Sequence, residues 1–321
     1  MGHVASRARK DFLSVLDLEP SELERCLDLA GRMKAGRPLG RRAPSASALD
    51  GRHVALLFEK ASLRTRSTFE IGVRELGGHV VALQADVALG DREPVEDVAR
   101  NLERWVDAAV IRTFSQRVLR EFATSAPKLH VINALSDDEH PCQALADMLT
   151  LRERWGALRG RTIAYVGDGN NVAVSLAHAA TMLGAHVHIA SPDGYQLPHV
   201  AVEQATSVAR HGARLRLFTD PADAVMGADA VYTDTWISMG KEAEADVRRQ
   251  ALAPYQVNDT LMSLARPGAL FMHCLPAHRG EEVTSDVFES AVSVVFDQAE
   301  NRLHCQKALL TMLLCTPALV P

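Results

Sequence analysis

Paired cysteines are missing from the sequence. Its five cysteines, Cys26, Cys142, Cys274, Cys305 and Cys315, are an odd number and include neither a CxxC pair nor a paired metal-ligand spacing. A disulfide framework is therefore not expected, and a reducing cytoplasmic location is favoured.

Long hydrophobic runs and an excess of positive charge are missing as well. No apolar segment approaches the roughly eighteen residues that a membrane-spanning helix needs, and the N-terminal residues lack a signal-peptide core. The net charge of -5 and the pI near 6.2 give no general affinity for nucleic acid or for an anionic membrane. We expect no nucleic-acid and no membrane partner, and any anion-binding site must be local.

What the 321 residues do contain, at 47% apolar, is an alternation of short apolar runs with helix-like segments. One series of runs comprises residues 53–58, 79–83, 108–113 and 129–135, and a second comprises 162–167, 186–191, 214–218, 230–234 and 269–274. Parallel strands that are buried on both faces have this character, so the pattern predicts two doubly wound parallel-sheet α/β domains. The amphipathic segment 299–314 is predicted to be a last helix, and residues 36–52 a loop.

Unusual polar stretches follow four of the predicted strands. ASLRTRST (61–68) follows VALLF, Arg112 ends AAVIRT, DTWISMG (234–240) continues AVYTD, and HCLPAHR (273–279) follows ALFM. Because active sites of doubly wound folds collect at the carboxyl ends of the strands, these stretches are the candidates for chemistry.

Two arginines stand at the wrong end of a predicted helix. Apolar Phe69, Val73 and Leu76 define a helix face after Ser62, the predicted N-cap, yet Arg64 and Arg66 lie in the first turn. Each cation there costs roughly 0.3–1 kcal/mol against the helix dipole. A bound oxyanion would explain both, since a helix N-terminus binds phosphate readily. The alternative is a surface helix whose arginines point into solvent.

The segment DDEHPCQALADML places His140 before Pro141, which suits the first position of a helix, with Gln143 at the same end. Gln143 offers an amide donor and an acceptor, which favours a binding role, although a single histidine is often structural.

GDGNN (167–171) follows a predicted strand like a dinucleotide-binding turn, but the third glycine is absent and no convincing ribose carboxylate follows. Its asparagine amides suit a carboxylate better than a pyrophosphate. No Walker motif occurs in the chain.

Two further candidates lie at strand ends. Asp234 and Ser238 on DTWISMG form a plausible clamp for an ammonium group, with a simple helix cap as the alternative reading of Asp234. Cys274 follows another strand, where the alternative is an inert packing residue.

Seven motifs, in order along the chain, closely resemble those of the ornithine carbamoyltransferase family. They are SLRTR (62–66), IRT (111–113), HPCQALAD (140–147), GDGNN (167–171), DTWISMG (234–240), HCLP (273–276) and AENR (299–302). SxRTR and HPxQ alone resemble the wider carbamoyltransferase superfamily, whereas DxxxSMG together with HCLP resembles the ornithine branch.

This resemblance implies transfer of a carbamoyl group from carbamoyl phosphate to L-ornithine, giving L-citrulline and phosphate without a metal or organic cofactor. It implies a carbamoyl-phosphate-binding domain over 1–147, joined by the C-terminal helix 300–321, and an ornithine-binding domain over 148–299. The active site is expected in the cleft between them, in a homotrimer or a multiple of trimers.

The resemblance also implies roles for individual residues. The residues expected to bind carbamoyl phosphate are Ser62, Leu63, Arg64, Thr65, Arg112, His140, Gln143, Cys274, Leu275 and Arg302. The residues expected to bind ornithine are Asn171, Asp234, Ser238 and Met239. Arg112, His140, Asp234 and Cys274 are expected to be catalytic.

The sequence departs from the family's usual pattern at two positions. Leu63 replaces a hydroxyl residue but keeps its backbone N–H, and Ala88 stands where a glutamine or histidine is expected to reach carbamoyl phosphate in the adjacent subunit. Two alternatives stay open at this point: a carbamoyltransferase acting on putrescine, acetylornithine or lysine, and a catalytically weak regulatory paralogue.

Overall fold

The computed structural model describes residues 11–60, 62–84, 89, 93–238 and 240–315. The chain forms two compact units. The first unit contains the residues up to Asp137 and those from Leu303 onward, and the second unit runs from Asp138 to Arg302. The divisions expected from the sequence, after residues 147 and 299, lie inside the helices Pro141–Trp155 and Val295–Leu314.

The described part of the first unit contains a parallel sheet with the strand order β2-β1-β3-β4. Its strands are β1 (His53–Phe58), β2 (His79–Leu83), β3 (Ala108–Arg112) and β4 (His130–Leu135). Its helices are α1 (Pro20–Gly36), α2 (Leu63–Glu75), α3 (Val95–Leu102) and α4 (Gln116–Ser125). β3 is buried along its whole length, as its apolar sequence predicts for an inner strand covered on both faces.

The second unit contains a parallel sheet with the order β7-β6-β5-β8-β9. Its strands are β5 (Thr162–Val166), β6 (His186–Ala190), β7 (Leu215–Phe218), β8 (Ala230–Thr233) and β9 (Leu270–His273). Its helices are α5 (Pro141–Trp155), α6 (Asn171–Met182), α7 (His199–Ser207), α8 (Pro221–Val225), α9 (Ala245–Leu252), α10 (Asp259–Met262) and α11 (Ser285–Phe288). The final helix, α12 (Val295–Leu314), begins in this unit and continues into the first.

Short 3-10 turns complete the described elements at Val15–Asp17, Arg37–Arg42, Glu242–Glu244 and Ala253–Tyr255. One of them lies in the segment 36–52, which is predicted to be a loop; α1 ends at Gly36, and bends and turns occupy residues 43–51.

Each sheet has one point where its strand order reverses. The chain passes from β1 to β2 on one side and then to β3 on the other, and likewise from β5 through β6 and β7 before crossing to β8. Ligands of such sheets bind at the carboxyl ends of the strands that flank the reversal. These are β1 and β3 in the first unit, and β5 and β8 in the second.

The predicted fold class is confirmed: all nine apolar runs are strands, and both sheets are parallel. The last helix begins at Val295, earlier than the predicted residue 299. Among the described residues, no helix combines the length and the apolar character that crossing a bilayer requires.

Candidate active site

In the first unit, the reversal point gathers hydrogen-bond donors. Ser62 stands at the N-cap of α2 with an extended backbone, but its hydroxyl makes no capping bond. It accepts instead from Nη1 of Arg112, at the end of β3, at 3.3 Å. Arg64 lies in the same first turn, which contains no acidic residue. Backbone N–H groups, a hydroxyl and guanidinium groups therefore share one corner, which suits an oxyanion.

The strand that leads into this corner is held by its own polar contacts. The carboxylate of Glu59 accepts from the Thr113 hydroxyl at 2.6 Å, and the Glu59 backbone N–H donates to the Arg112 carbonyl at 2.8 Å. The buried ammonium of Lys60 pairs with Asp137 at 2.7 Å. These bonds join the loop after β1 to the chain after β3 and β4, so Arg112 is held beside the start of α2.

In the second unit, α5 begins as predicted, with His140 at the N-cap and Pro141 at the first position. The backbone N–H of His140 donates to the Ser175 hydroxyl at 2.9 Å, and that hydroxyl donates to Glu139 at 2.9 Å. Nη1 of Arg302 lies 3.4 Å from Nε2 of His140. The histidine ring is therefore brought next to a guanidinium group on α12.

Gln143 belongs to the same buried group. Its Oε1 accepts from Nη1 of Arg302, and its Nε2 donates to Oδ1 of Asp147 at 2.8 Å. The same Asp147 oxygen accepts from Nε2 of Gln298 at 2.9 Å. Burial raises the pKa of Asp147 to about 6, although these amide bonds and the charge of Arg302 oppose the rise.

The turn between β5 and α6 is shaped by an asparagine and a glycine. Oδ1 of Asn170 caps α6 by accepting from the backbone N–H groups of Val172 and Ala173 at 3.0 and 3.2 Å. The backbone N–H of Gly169 donates to the Tyr195 carbonyl at 2.8 Å. A Cβ at Gly169 would lie 2.4 Å from the backbone nitrogen of Leu197, so only glycine fits this close approach.

Asp234 directly follows β8 and lies opposite this turn. Its Oδ2 accepts from Nδ2 of Asn170 at 2.8 Å, and its Oδ1 accepts from the Thr235 backbone N–H at 2.8 Å and from the thiol of Cys274 at 2.9 Å. Burial, and then the adjacent Asp234 carboxylate, raise the pKa of Cys274 well above its ordinary value. Cys274 is therefore a neutral thiol that donates to Asp234, not a thiolate nucleophile.

The segment after Asp234 is tied to the turn after β5 by Arg248 of α9. Its Nε donates to the Trp236 carbonyl at 2.7 Å, and its guanidinium forms an ion pair with Asp168. Burial raises the pKa of Asp168, whereas the charge of Arg248 lowers it. Arg248 thus connects the loop after β5 to the loop after β8.

The HCLP segment has an unusual backbone. Leu275 has a φ of 61°, in the left-handed region, and a cis peptide bond joins it to Pro276. Its backbone N–H donates to Nδ1 of His273 at 2.9 Å, and Nε2 of His273 lies 3.1 Å from the buried carboxylate of Glu282. The histidine thereby fixes the turn that carries the carbonyl groups of Cys274 and Leu275.

The structure thus gathers the predicted residues into three groups: Ser62, Leu63, Arg64, Thr65 and Arg112; His140, Gln143 and Arg302; and Asp234 and Cys274. Asn171 is the first residue of α6, Leu275 follows Cys274, and Ser238 is half-buried beyond Asp234. Met239 and Ala88 lie outside the described residues, so the predictions on them stay predictions. Arg66 is exposed.

Sequence reasoning assigned no role to Asp147, Gln298 or Arg248, and it indicated Asn170 only as one of the two amides of GDGNN. Two of them left a signal: Asn170 precedes an apolar helical segment as N-caps do, and Asp147 lies one turn after Gln143. The alternative reading of Asp234 as a helix cap is wrong, because its carboxylate faces Asn170 and Cys274.

Two sequence profiles match the chain. Residues 10–153 match the carbamoyl-P binding domain of aspartate/ornithine carbamoyltransferase, and residues 159–313 match its Asp/Orn binding domain. The ornithine carbamoyltransferase of Symbiobacterium thermophilum is 50% identical, over 95% of this chain and 98% of its own. That of Acidothermus cellulolyticus is 51% identical, over 95% and 96%.

A solved structure shows the same similarity. The ornithine carbamoyltransferase from Pyrococcus furiosus superposes with a TM-score of 0.91 at 46% identity, over 97% of this chain and 99% of its own. With both profiles and relatives of this identity spanning nearly its whole length, the chain belongs to the aspartate/ornithine carbamoyltransferase family.

Proposed function

We propose that this protein transfers the carbamoyl group of carbamoyl phosphate to the δ-amine of L-ornithine and releases L-citrulline and phosphate. The observation that carries the proposal is the contrast between the two reversal points. One presents a helix N-terminus with Arg64 and Arg112, and the other presents the carboxylate of Asp234. The first suits a phosphate, and the second suits the ammonium group of an amino acid.

In this proposal the phosphate binds to Ser62, the Leu63 backbone N–H, Arg64, Thr65 and Arg112. The ornithine carboxylate binds to Asn171 and to the Met239 backbone, and its α-ammonium group binds to Asp234 and Ser238. The carbamoyl end is oriented by Gln143, Arg302 and the carbonyl groups of Cys274 and Leu275.

The chemical step then needs positioning and charge stabilisation more than covalent help, because phosphate is already a competent leaving group. The neutral δ-amine attacks the carbonyl carbon, a C–N bond forms, and the bond to the phosphate oxygen breaks as the amine loses a proton. Arg112 and His140 donate to the carbonyl oxygen as it becomes negative, which is where such donors contribute most. The thiol of Cys274 lies at the carboxylate that holds the substrate's other amine.

We further propose that the protein acts in the cytoplasm as a homotrimer and that its product serves arginine biosynthesis. These statements rest on the family to which the chain belongs and on its unpaired cysteines.

A steady-state assay with carbamoyl phosphate and ornithine tests the proposal, with putrescine, acetylornithine and lysine in parallel reactions. Citrulline should be the dominant product, and its rate should rise from neutral towards alkaline pH, because a free amine of this kind has a pKa of about 10.4. The solution mass in the same buffer should correspond to three chains.

Two results would contradict the proposal. Faster turnover of putrescine, acetylornithine or lysine than of ornithine would assign the protein to a related carbamoyltransferase. No carbamoylated product at saturating substrates would favour a regulatory paralogue that keeps the fold.

A further inference from the structure

We propose that Asp147 is a positioning residue of the second unit: its carboxylate fixes the orientation of the Gln143 amide and, through Gln298, the main chain at His273. The inference rests on the proposed function, because Gln143 meets a carbamoyl group only there. Asp147 itself is fully buried and touches no substrate in this scheme.

One oxygen of Asp147 accepts hydrogen bonds from two amide groups. Oδ1 of Asp147 accepts from Nε2 of Gln143 at 2.8 Å and from Nε2 of Gln298 at 2.9 Å. An ionised carboxylate has no proton to donate, so an amide beside it must present its NH2 group. One carboxylate oxygen therefore sets the orientation of both amides.

The oxygen of each amide, on the side opposite its NH2 group, also has a partner. Oε1 of Gln143 accepts from Nη1 of Arg302, and Oε1 of Gln298 accepts from the backbone N–H of His273 at 3.0 Å. If the Gln143 amide were reversed, its oxygen would face the carboxylate and its NH2 would face the guanidinium. Both contacts would be repulsive, so the charge on Asp147 and the charge on Arg302 select the same orientation.

The amide of Gln143 can form further hydrogen bonds. An amide has two N–H groups and an oxygen with two lone pairs, and the structure uses one of each. One donor and one lone pair are left for the oxygen and the NH2 group of a carbamoyl ligand. An amide held in one orientation presents these two groups in a fixed order.

The charge of Asp147 is sensitive to pH in a useful range. Burial raises its pKa to about 6, against the hydrogen bonds from Gln298 and Gln143 and the charge of Arg302. The phenol of Tyr232 and the thiol of Cys274 also interact electrostatically with Asp147. Because its pKa lies above the ordinary 3.8, the folded protein holds this proton more tightly than the unfolded chain. The charge therefore costs stability in full above pH 6, and the cost declines as the pH falls from 6 to the unfolded value of 3.8.

Asp147→Asn tests the inference, because it keeps the shape of the side chain and removes the charge. At pH 8 the KM for carbamoyl phosphate should rise about tenfold, since a charged acceptor forms the stronger hydrogen bond, while the KM for ornithine changes little. The melting temperature at pH 8 should equal or exceed that of the wild type. That difference should diminish at pH 5, where the wild-type carboxyl is neutral.

Thr150→Val is the matched control. Thr150 is buried on the same helix, and its hydroxyl accepts from Nδ2 of Asn301 at 2.9 Å. This variant should lose stability and keep the KM for carbamoyl phosphate.

Activity and stability thus move in opposite directions in Asp147→Asn, which a merely structural residue would not produce. Unchanged carbamoyl phosphate kinetics, or losses of affinity and melting temperature in parallel at every pH, overturn the inference. If the variant does not fold, the wild-type profile decides: kcat/KM for carbamoyl phosphate should show an additional fall near pH 6, and its absence overturns the inference. If the wild type makes no citrulline, the proposed function fails. The pH dependence of the melting-temperature difference then decides this inference alone.

Discussion

The corner at the start of α2 and the buried network of Gln143 and Arg302 differ in how far the protein encloses their polar groups. At the start of α2, Leu63 is 77% exposed and Arg64 is half-buried. In the second unit, Gln143 and Arg302 are 1% and 2% exposed and bond to each other. An open corner admits an ion with little rearrangement, whereas a buried network holds its groups in one arrangement before a ligand arrives.

This difference teaches where a substitution acts. A half-buried side chain at the open corner, such as Arg64, is partly accessible to water, so water can solvate the groups around it when it is replaced. A side chain in the buried network leaves its protein partners unsatisfied, which costs about 1–3 kcal/mol for each buried polar group. Binding and stability should therefore separate in the first unit and change together in much of the second.

The largest effect is expected at Asp234. In Asp234→Asn the α-ammonium group of ornithine loses its counter-charge, and truncating one partner of a buried charged pair costs about 2–5 kcal/mol. The value of kcat/KM for ornithine should fall by the factor that corresponds to this free energy, and the KM for carbamoyl phosphate should change much less. Asp229→Asn is the control, because Asp229 is a buried carboxylate at the other end of β8 that pairs with Arg161 and Arg266. Wild-type ornithine kinetics in Asp234→Asn would show that DTWISMG does not bind the amino acid.

The next largest effect is expected at Arg64, in the open corner. Arg64→Ala removes a charge-assisted hydrogen bond to phosphate, so the affinity for carbamoyl phosphate should fall by about 1.5–3 kcal/mol while the melting temperature stays close to that of the wild type. Arg74→Ala, at the other end of α2, removes an exposed pair with Glu70 and should change neither quantity measurably. A large loss of stability in Arg64→Ala would break the contrast between the two regions.

The smallest effect is expected at Ser175, whose hydroxyl bonds to the backbone of His140 in the buried region. Ser175→Ala removes the acceptor of the His140 backbone N–H and a donor to Glu139. The activation free energy should therefore rise by about 0.5–1.5 kcal/mol, which lowers kcat, and the melting temperature should fall as well. Thr181→Val, on the same helix, removes only hydroxyl bonds to the Ala177 and His178 carbonyl groups of that helix. If kcat fell equally in both variants, the bond to His140 would not be the cause.

Much of the fold could be predicted because its signals are local. A strand that is buried on both faces has consecutive apolar residues. In β3 the residues from Ala108 to Ile111 are apolar, and the one charged residue, Arg112, stands at the end where the site begins. Helix starts are similarly local, which is why His140 and Pro141 were placed at the correct positions.

The partners of the site residues could not be predicted in this way. Gln298 and Asp147 are 151 residues apart, and nothing in either segment alone indicates that one donates to the other. Asn170 and Asn171 are adjacent and chemically identical, so only the backbone geometry of the turn decides that Asn170 caps α6 and bonds to Asp234. The sequence indicates which groups the chemistry needs, and long-range packing decides what holds them.

The close approach at Gly169 has a consequence for attempts to change the amine that the protein accepts. Because the backbone near Leu197 occupies the space of any side chain at position 169, a library that varies the turn 167–171 alone will discard most of its members through collision, whatever their chemistry. Variants that place a side chain at position 169 require the segment 192–197 to be redesigned in the same library. If substitutions at position 169 prove harmful in a mutational scan, the cause will be steric collision between the turn 167–171 and the segment 192–197. Such a result should not be interpreted as a contact with substrate.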